Sequence, residues 1–378
     1  MARTQHRLLV AGLLSASFFV VDRAAAQQSV TRVPAPRFAS QPAPANPILT
    51  YQARKLLSVA GTNPFDPLYS TPKGGAYDGV GSIFIERADG NFICSGALFG
   101  GGAYMLTAAH CLTDGTGKII TNQTTSVFFT PGQPAATREF IVSNQFYVSP
   151  LYTGEVIDAH DVAVIKLGSA PSARVRAASY DLFSGNPFGR TAEAVGSGAR
   201  GTGNTGLTAS GGFRLSDRLR GNNRVDFTWT NPVWGGFWNG FFGAADPYGL
   251  IADFDNGSTM NDTGCQIARA VLGFAGGTQF CDVGLGLNEV ALGGGDSGGP
   301  LFINGKIAGV ASYGLSFGPS FGDVDGSLNS SFGEFSGWVS TEYNDPFLAQ
   351  FAVPEPSSVV LVAVGMLAIG AGARRRRR

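Results

Sequence analysis

The sequence predicts a mainly β fold. Charged residues make up only 14% of the 378 residues, and 54 glycines are spread along the chain. Thr, Ser, Asn and Phe occur in short runs between them, a composition typical of many short strands joined by turns. The chain is also long enough to build one large domain or two ordinary ones around a sizeable core.

Short apolar runs separated by turn residues begin near Tyr77 and continue almost to the end of the chain. The first two runs flank a turn at residues 88–91, which predicts a β-hairpin. A later run ends at His110, and another, rich in β-branched residues, begins at Asp161. The expected strands are 82–86, 92–94, 97–99, 104–109, 126–130, 139–142 and 162–167.

A glycine-rich stretch at residues 293–300 places Ser297 beside residues without side chains. A serine hydroxyl is a poor nucleophile unless a base takes its proton, and glycines allow a substrate carbonyl to approach the backbone N–H groups. An ordinary glycine-rich turn is the alternative. The nucleophile hypothesis therefore needs a histidine and a buried carboxylate, for which His110 and Asp161 are the candidates.

Three blocks of the sequence resemble the motifs of secreted trypsin-like serine proteases. Thr107-Ala108-Ala109-His110-Cys111 is similar to that family's histidine motif, residues 161–167 to its aspartate motif and residues 295–300 to its serine motif, in the family's order. The resemblance covers about residues 77–351. It implies a chymotrypsin-like fold of two six-stranded antiparallel β-barrels, with the active site in the cleft between them, and an endopeptidase that works through an acyl-enzyme.

The resemblance also implies a role for each motif residue. Ser297 is the nucleophile, and His110 takes its proton and returns it to the leaving amine. Asp161 orients the imidazole, while the N–H groups of Gly295 and Ser297 form the oxyanion hole. Taken singly, the three side chains also fit a core histidine, a cap and a turn serine. The neighbouring His160 points to the opposite face of a strand and is expected to be structural.

Four cysteines in an exported chain favour disulfides over a zinc site or reactive thiols. The resemblance implies two bridges, Cys94–Cys111 around the histidine loop and Cys265–Cys281 upstream of the serine loop. Each is expected to contribute roughly 3 kcal/mol of stability. A further family bridge is missing, because Gly293 stands where its first cysteine would be.

The family's primary specificity pocket corresponds here to small, uncharged residues. Ala291 stands at the pocket floor, where members that prefer Arg or Lys carry an aspartate. Ser312, Tyr313 and Gly314 resemble the segment that lines the pocket and pairs with the substrate backbone, and Gly333 corresponds to the opposite wall. We expect a preference for large apolar side chains before the scissile bond, unless Glu289 or Glu334 points inward.

Many relatives are activated when a newly cut N-terminus pairs with the acid before the nucleophile, here Asp296. A β-branched pair followed by two glycines does not occur upstream of Gly81, although Arg54, Lys55 and Lys73 offer basic cleavage sites. The partner of Asp296 is therefore left open.

An insertion is expected at about residues 222–263, which are rich in Trp and Phe. We expect these rings to close a small core of their own, with an aromatic binding surface as the alternative. Asp253, Asp255 and Asp262 offer oxygen ligands for calcium, but their spacing matches no recognised loop. The sequence therefore predicts neither a metal nor a cofactor.

The N-terminal segment has the features of export. Residues 1–26 combine basic residues, an apolar run and three alanines, which predicts a secretory signal peptide, with a buried helix as the alternative. Residues 27–76 are rich in proline and poor in periodic apolar residues, which predicts a linker or pro-segment.

The C-terminal segment, residues 352–378, resembles the PEP-CTERM sorting signal. A Pro-Glu-Pro sequence precedes an apolar run at residues 359–373 and five arginines. The run is short for a full membrane span but is suited to transient anchoring. The resemblance implies secretion or cell-surface location in a bacterium and an exosortase-type partner that removes the tail; a retained anchor is the alternative.

The predicted function is therefore that of an exported serine endopeptidase acting on protein or peptide substrates. The alternatives are a non-catalytic surface adhesin or matrix-binding module on a protease fold, and a dedicated processor of one envelope protein. Nucleic-acid binding is not expected, because the chain without its terminal segments is net negative and has no internal basic run.

Overall fold

A computed structural model describes residues 41–42, 50–54, 58–72, 74–130, 139–207, 218–276 and 278–352. The predicted signal peptide at residues 1–26 and the predicted sorting tail after Ala352 lie outside these described residues. Within the described ranges, no helix is long and apolar enough to cross a membrane.

The described part of the chain is built mostly from short strands. The strands are β1 (Gln41–Pro42), β2 (Thr50–Arg54), β3 (Ser58–Val59), β4 (Val80–Arg87), β5 (Gly90–Phe99), β6 (Tyr104–Thr107), β7 (Gln123–Phe129), β8 (Glu139–Ser143), β9 (Gln145–Val148), β10 (Ala163–Lys166), β11 (Thr191–Gly196), β12 (Gly201–Thr202), β13 (Gly206–Leu207), β14 (Leu219–Arg224), β15 (Leu250–Asp253), β16 (Val290–Ala291), β17 (Pro300–Ile303), β18 (Lys306–Ser316) and β19 (Phe335–Ser340). The helices are α1 (Ala173–Ala177), α2 (Thr263–Gly276) and α3 (Asp345–Ala352).

The first barrel consists of β4 to β10. Its strands follow the order β8-β7-β4-β5-β6-β10-β9, and every neighbouring pair is antiparallel. The end strands β8 and β9 are separated in the chain by Asn144 alone, so one bent segment closes the sheet. Counted as a single strand, this segment gives the six strands that the sequence predicts.

Apolar burial explains why these segments form the first barrel. In β4, Ile83 and Ile85 are fully buried, and in β10 all residues are buried except the terminal Lys166. The predicted hairpin is present as β4 and β5, and β5 continues through residues 97–99, which were expected to form a separate strand. Removing these side chains from water is the main force that holds the strands in this register.

The second barrel has the strand order β14-β11-β17-β18-β19-β15. Just beyond β14, Phe227 pairs with Ile251 of β15, which brings the two ends of this order together. Six strands therefore form the second barrel as well, and the prediction of two six-stranded antiparallel barrels is confirmed.

Part of the predicted linker or pro-segment forms strands that pair with strands from later in the chain. Strand β2 pairs with the end of β18, and β3 pairs with β16 and β12. Backbone pairing to an existing strand edge needs no apolar side-chain pattern, which explains why the sequence gives no sign of these two strands.

The aromatic side chains between Phe227 and Phe242 form a largely buried cluster. Trp229 and Trp238 are each 1% exposed, and their ring centroids are 4.7 Å apart. They pack with Phe317 and Phe335 of the barrel rather than facing solvent. Because β15 lies inside residues 222–263 and belongs to the barrel, the additional chain is mainly the part between β14 and β15.

Both predicted disulfides are confirmed. Cys94 in β5 is bonded to Cys111 in the turn after β6, and Cys265 in α2 is bonded to Cys281 after that helix. The first bridge therefore fixes the turn that carries His110, and the second fixes the start of α2.

Candidate active site

His110 stands on a single helical turn, Ala109–Cys111, that follows β6. The preceding strand is wholly buried, and Ala108 and Ala109 have no exposed surface. The disulfide at Cys111 ties the turn to β5. The His110 side chain is 15% exposed, so it reaches the surface of the cleft from a rigid support.

Asp161 lies two residues before β10 and is completely buried. Its Oδ1 accepts a hydrogen bond from the His110 backbone N–H at 2.8 Å, and its Oδ2 lies 2.7 Å from His110 Nδ1. Ser312 donates its hydroxyl to the same Oδ2 at 2.5 Å. Because an ionised carboxylate only accepts hydrogen bonds, this arrangement favours the imidazole tautomer with its proton on Nδ1 and leaves Nε2 as an acceptor.

Ser297 lies in the turn between β16 and β17 and is 7% exposed. Its neighbours Gly295 and Gly298 have φ angles of +99° and +84°, which glycine adopts without strain. A Cβ atom at Gly298 would also collide with Thr107 Oγ1 and Ser95 O, so this glycine allows the serine turn to pack on the first barrel.

A single cavity of about 550 Å³ is lined by His110, Gly295 and Ser297. His110 reaches it from the first barrel and Ser297 from the second, so the cleft between the barrels brings together residues that are distant in sequence. Its other walls include apolar Ile93 and Val156.

The N–H groups of Gly295 and Ser297 have no hydrogen-bond acceptor among the described residues. The carbonyl groups of the same two residues are occupied: Ser95 donates its hydroxyl to Gly295 O at 2.8 Å and its N–H to Ser297 O at 2.7 Å. The turn is therefore held through its carbonyl oxygens, while two neighbouring amide donors stay available to a ligand.

Ser95 is a positioning residue that the sequence does not reveal. It has no exposed surface and also accepts hydrogen bonds from Ser197 N–H at 2.9 Å and Thr107 Oγ1 at 2.8 Å. It thus links the first barrel to the serine turn and to the residue that follows β11. The available signal was a lone serine next to Cys94 in an otherwise apolar stretch, which is too common a pattern to single out.

The partner of Asp296, left open by the sequence, consists of backbone amides. Gly198 and Gly293 donate their N–H groups to its carboxylate at 2.7 and 3.2 Å. Burial raises the pKa of Asp296 to about 8, although these amides and the positive charge of Arg200 act in the opposite direction. A Cβ atom at Gly196 would collide with the carboxylate, so a glycine is needed there.

The residues predicted to form the specificity pocket do not all share the same neighbours. Ala291 lies in β16 and packs in a small cluster with Phe254 and Phe332. The Gly333 N–H donates to Phe254 O at 2.8 Å, and its φ of +82° requires glycine. Ala291 and Gly333 are thus both connected to Phe254.

The predicted segment Ser312-Tyr313-Gly314 lies in β18. The Ser312 hydroxyl is used on Asp161, whereas Tyr313 is buried in the core and its hydroxyl accepts a hydrogen bond from Trp229 Nε1 at 3.2 Å. Burial raises the pKa of Tyr313 well above its ordinary value. Gly314 pairs with Ser336 of β19 on one side and with Arg54 of β2 on the other.

Glu289 and Glu334 are both held by backbone amides. Glu334 accepts hydrogen bonds from the N–H groups of residues 329–331, and burial raises its pKa to about 8. Glu289 accepts from the N–H groups of Asp255 and Leu285, and burial raises its pKa to about 7. Each carboxylate thus stabilises a loop.

His160, the neighbour of Asp161, faces another part of the molecule. Its Nδ1 lies 2.9 Å from Asn344 Oδ1, and its ring stacks on Tyr343. Asn344 also donates to Ala159 O at 2.8 Å, so His160 belongs to a connection between the first barrel and the segment before α3.

Comparison with known proteins places this site in a family context. Residues 74–220 match the family model described as Trypsin. This range includes His110 and Asp161 and ends before Ser297. Residues 352–378 match the PEP-CTERM protein-sorting motif. These matches confirm both resemblances, the first over residues 74–220 and the second over residues 352–378, and the match to the Trypsin model supports a serine-type peptidase. The sorting motif indicates secretion and exosortase-mediated sorting to the bacterial cell surface.

Among solved structures, the chain is similar to neuropsin, a serine protease expressed in the limbic system of mouse brain, with 15% identity and a TM-score of 0.47 over 75% of this chain and 97% of that one. It is also similar to HL collagenase, with 17% identity and a TM-score of 0.47 over 76% of this chain and 98% of that one. None of the curated protein sequences matches the chain.

Proposed function

We propose that this protein is an exported serine endopeptidase with Ser297 as nucleophile, His110 as general base and Asp161 as orienting acid. The observation that carries the proposal is the 2.7 Å hydrogen bond between His110 Nδ1 and Asp161 Oδ2, beside a cavity that His110 shares with Ser297. Asp161 is bonded to His110, and His110 and Ser297 line the same cavity, which supports the arrangement that acyl transfer requires.

In the proposed reaction, Ser297 Oγ attacks the substrate carbonyl carbon while His110 Nε2 takes the hydroxyl proton. The carbonyl oxygen becomes an oxyanion that accepts hydrogen bonds from the N–H groups of Gly295 and Ser297. Collapse of this intermediate breaks the C–N bond, and the amine leaves with the proton from His110. Water then attacks the acyl carbon while His110 Nε2 takes a proton from it. The ester C–O bond breaks, Ser297 Oγ receives that proton, and the acid product is released.

Asp161 has two tasks in this scheme. Its hydrogen bond to Nδ1 keeps Nε2 free to accept a proton, and its charge stabilises the imidazolium that forms. The second bond, from the His110 backbone N–H to Oδ1, fixes the distance between the carboxylate and the turn. Ser312 donates to the same carboxylate and holds it from the second barrel.

We propose that the enzyme accepts large apolar side chains before the scissile bond. The environment of Ala291 is aromatic, with the Phe254 and Phe332 ring centroids 4.6 Å apart. Glu289 and Glu334 are engaged by backbone amides, which supports a pocket without a free carboxylate. Ser312, Tyr313, Gly314 and Gly333 complete the proposed substrate-binding set.

The proposed route to the cell surface begins with the signal peptide at residues 1–26. The apolar run at residues 359–373 would then anchor the chain transiently until an exosortase-type enzyme removes the tail. Intact mass of the protein released from the surface tests this step: loss of residues after the motif is expected, and retention of Arg378 would indicate a lasting anchor.

A fluorophosphonate probe tests the peptidase proposal. It forms a covalent bond only with an activated serine, so the mature, disulfide-bonded protein should be labelled and should hydrolyse casein. Ser297→Ala should abolish both signals, whereas Ser327→Ala, a change at an exposed serine, should leave them unchanged. Absence of labelling in the folded protein would favour the non-catalytic adhesin instead.

A further inference from the structure

Three carboxylates of the second barrel form a buried group beside the start of α2. Asp253 ends β15, Asp255 follows two residues later, and Asp262 immediately precedes α2. One carboxylate oxygen of each lies within 4.8 Å of those of the other two. All three residues are buried, so bulk solvent screens these charges little.

Asp255 is the member of this group whose carboxylate has no hydrogen-bond donor among the described residues. It is 1% exposed, and within the described part of the chain neither of its carboxylate oxygens has a hydrogen-bond donor. Asp253 and Asp262 each accept one backbone N–H, from Gly264 at 2.6 Å and from Cys265 at 2.8 Å. A buried, ionised carboxylate without a donor is strongly unfavourable unless it takes up a proton or a cation pairs with it.

Two further carboxylates and one arginine act on this group. Asp282 and Glu289 act on Asp253 through space, and Arg269 is the positive group that acts on Asp262. The mutual repulsion would be relieved by a bound positive ion.

We propose that Asp253, Asp255 and Asp262 bind a calcium ion. The donors are all carboxylate oxygens, which hard divalent cations prefer, and three carboxylates supply up to about six of the oxygens that calcium takes. The nearby sulfur atoms of Cys265 and Cys281 are joined in a disulfide and are not thiolate ligands. The flexible geometry of an irregular loop suits calcium better than magnesium, which demands a near-ideal octahedron.

The site has a structural connection to the proposed specificity pocket. Phe254, between two of the ligands, accepts the Gly333 N–H, and Thr263, next to the third, donates its hydroxyl to Gly333 O at 2.8 Å. Calcium would therefore hold the loop against which this pocket wall is built. The consequence for substrate binding rests on the proposed function, whereas the metal site does not.

Calorimetry of the purified full chain tests the metal site directly. At calcium about 100-fold above its Kd, the unfolding midpoint should rise by about 5 °C relative to excess EDTA, and titration should give one calcium per chain. Asp255→Asn should lose both responses while remaining folded, because it removes an unpartnered charge and keeps the side-chain volume. Asp181→Asn, an exposed carboxylate of the same charge, should keep them.

The same measurements can also contradict the calcium site. No midpoint rise in the wild-type chain, or a rise that Asp255→Asn retains, would overturn the site. A magnesium response as large as that of calcium would overturn the choice of ion. None of these readings uses peptidase activity, so failure of the metal site and failure of the proposed function are separate outcomes.

A different observation concerns strand β2 and the edge of β18. Arg54, Ala53 and Gln52 pair antiparallel with residues 314–316, while β19 pairs with the opposite edge of β18. The edge covered by β2 is the one that the proposed function gives to the substrate backbone, at Gly314.

We infer that β2 inhibits the peptidase by occupying this edge, so that the segment before β3 is a pro-segment. An extended substrate needs the backbone N–H and C=O groups of Gly314, and β2 already pairs with that residue. This inference rests on the proposed function. Substrate must displace the strand, or cleavage must release it, before the edge is free.

Two deletions separate this effect from the chemistry of Ser297. A chain that lacks residues 27–54 should hydrolyse a peptide about tenfold or more faster than the chain with these residues, because the competent state is no longer a minor population. A chain that lacks residues 27–49 keeps β2 and should stay slow. A small fluorophosphonate does not need the β18 edge and should label all three equally.

Equal peptide hydrolysis by the three chains, with labelling intact, would contradict inhibition by β2 and leave the proposed function standing. Loss of labelling in all three would instead contradict the proposed function itself.

Discussion

Two buried carboxylates, one associated with each barrel, differ in their hydrogen-bond donors. Asp161 is completely buried and accepts hydrogen bonds from His110 N–H, His110 Nδ1 and the Ser312 hydroxyl. Asp255 is equally buried, and among the described residues it has no donor at all. Since a buried charge needs compensation, the first is satisfied by the protein itself, and the second calls for a ligand.

This difference separates two kinds of functional site. The protein donors around Asp161 form a fixed arrangement that is complete in the folded chain and suits catalysis. The group around Asp255 is completed only by binding, so its stability depends on solution conditions. The predictions below use this contrast, starting with the largest expected effect.

Replacing Asp161 by Asn should lower kcat by about 10⁴-fold, the size of effect known for this change in a Ser-His-Asp triad, because the amide favours the wrong imidazole tautomer. Steady-state hydrolysis of a chromogenic peptide measures the loss. The same change at Asp255, assayed in excess calcium, should reduce kcat far less. Similar losses at both positions would remove the distinction between the two carboxylates.

Removing either disulfide should lower the stability by a similar amount, but the two losses should affect different functions. Each closes a loop of similar length, with sequence separations of 17 and 16, so removing either should cost roughly 3 kcal/mol in chemical denaturation. Cys94→Ser with Cys111→Ser should mainly reduce kcat by loosening the His110 turn. Cys265→Ser with Cys281→Ser should mainly weaken calcium binding, because the Cys265 N–H supports Asp262.

Without calcium, Asp255→Asn should raise the free energy of unfolding by about 2 kcal/mol, because burial and the neighbouring carboxylates disfavour the ionised form of Asp255, whereas an amide carries no charge. Asp161→Asn should have the opposite sign, since it leaves buried donors without a carboxylate. Urea unfolding in EDTA compares the two variants. Destabilisation by Asp255→Asn under these conditions would show that its carboxylate has a partner within the chain.

Ser312→Ala should lower kcat/KM by about tenfold, the equivalent of about 1.4 kcal/mol for one hydrogen bond to a charged group. The effect should lie in kcat, because Asp161 keeps both bonds from His110. The inactivation rate with a small fluorophosphonate should fall by a similar factor. A change confined to KM would assign Ser312 to substrate binding rather than to positioning of Asp161.

The last expected effect is a change in the pH dependence of stability. The pKa of Asp296 is raised from its ordinary 3.8 to about 8, so between these values the folded chain binds more protons than the unfolded chain. This contribution to stability is therefore present below pH 3.8 and is lost as the pH rises towards 8, by at most about 1.4 kcal/mol per pH unit. Asp296→Asn should flatten the profile of unfolding midpoint against pH, and an unchanged slope would contradict the raised pKa.

The fold and the motif residues could be predicted because the information is local. His110 and Asp161 follow or precede apolar strands in recognisable motifs, and the cysteines lie where the resemblance expects them. The closure of the first barrel at Asn144 carries no such signal, since a bend of one residue breaks neither alternation nor composition. The strand pairing of β2 is likewise invisible, because it uses the backbone.

The acidic group was visible in the sequence, but its meaning was not. Asp253, Asp255 and Asp262 are close in sequence, yet a cluster of acids is most often solvated. What distinguishes Asp255 is that its carboxylate has no donor among the described residues after folding, which depends on Glu289 and α2 approaching from other parts of the chain. For the same reason the part played by Ser95 required the assembled structure.

Mass-spectrometric mapping of the fluorophosphonate adduct tests the central claim most directly. The predicted result is one adduct, on the peptide that contains Ser297, formed rapidly by the wild-type protein and about 10⁴-fold more slowly by Asp161→Asn. An adduct on another serine, or a rate at Ser297 that does not depend on Asp161, would contradict the assignment of these residues to one catalytic site.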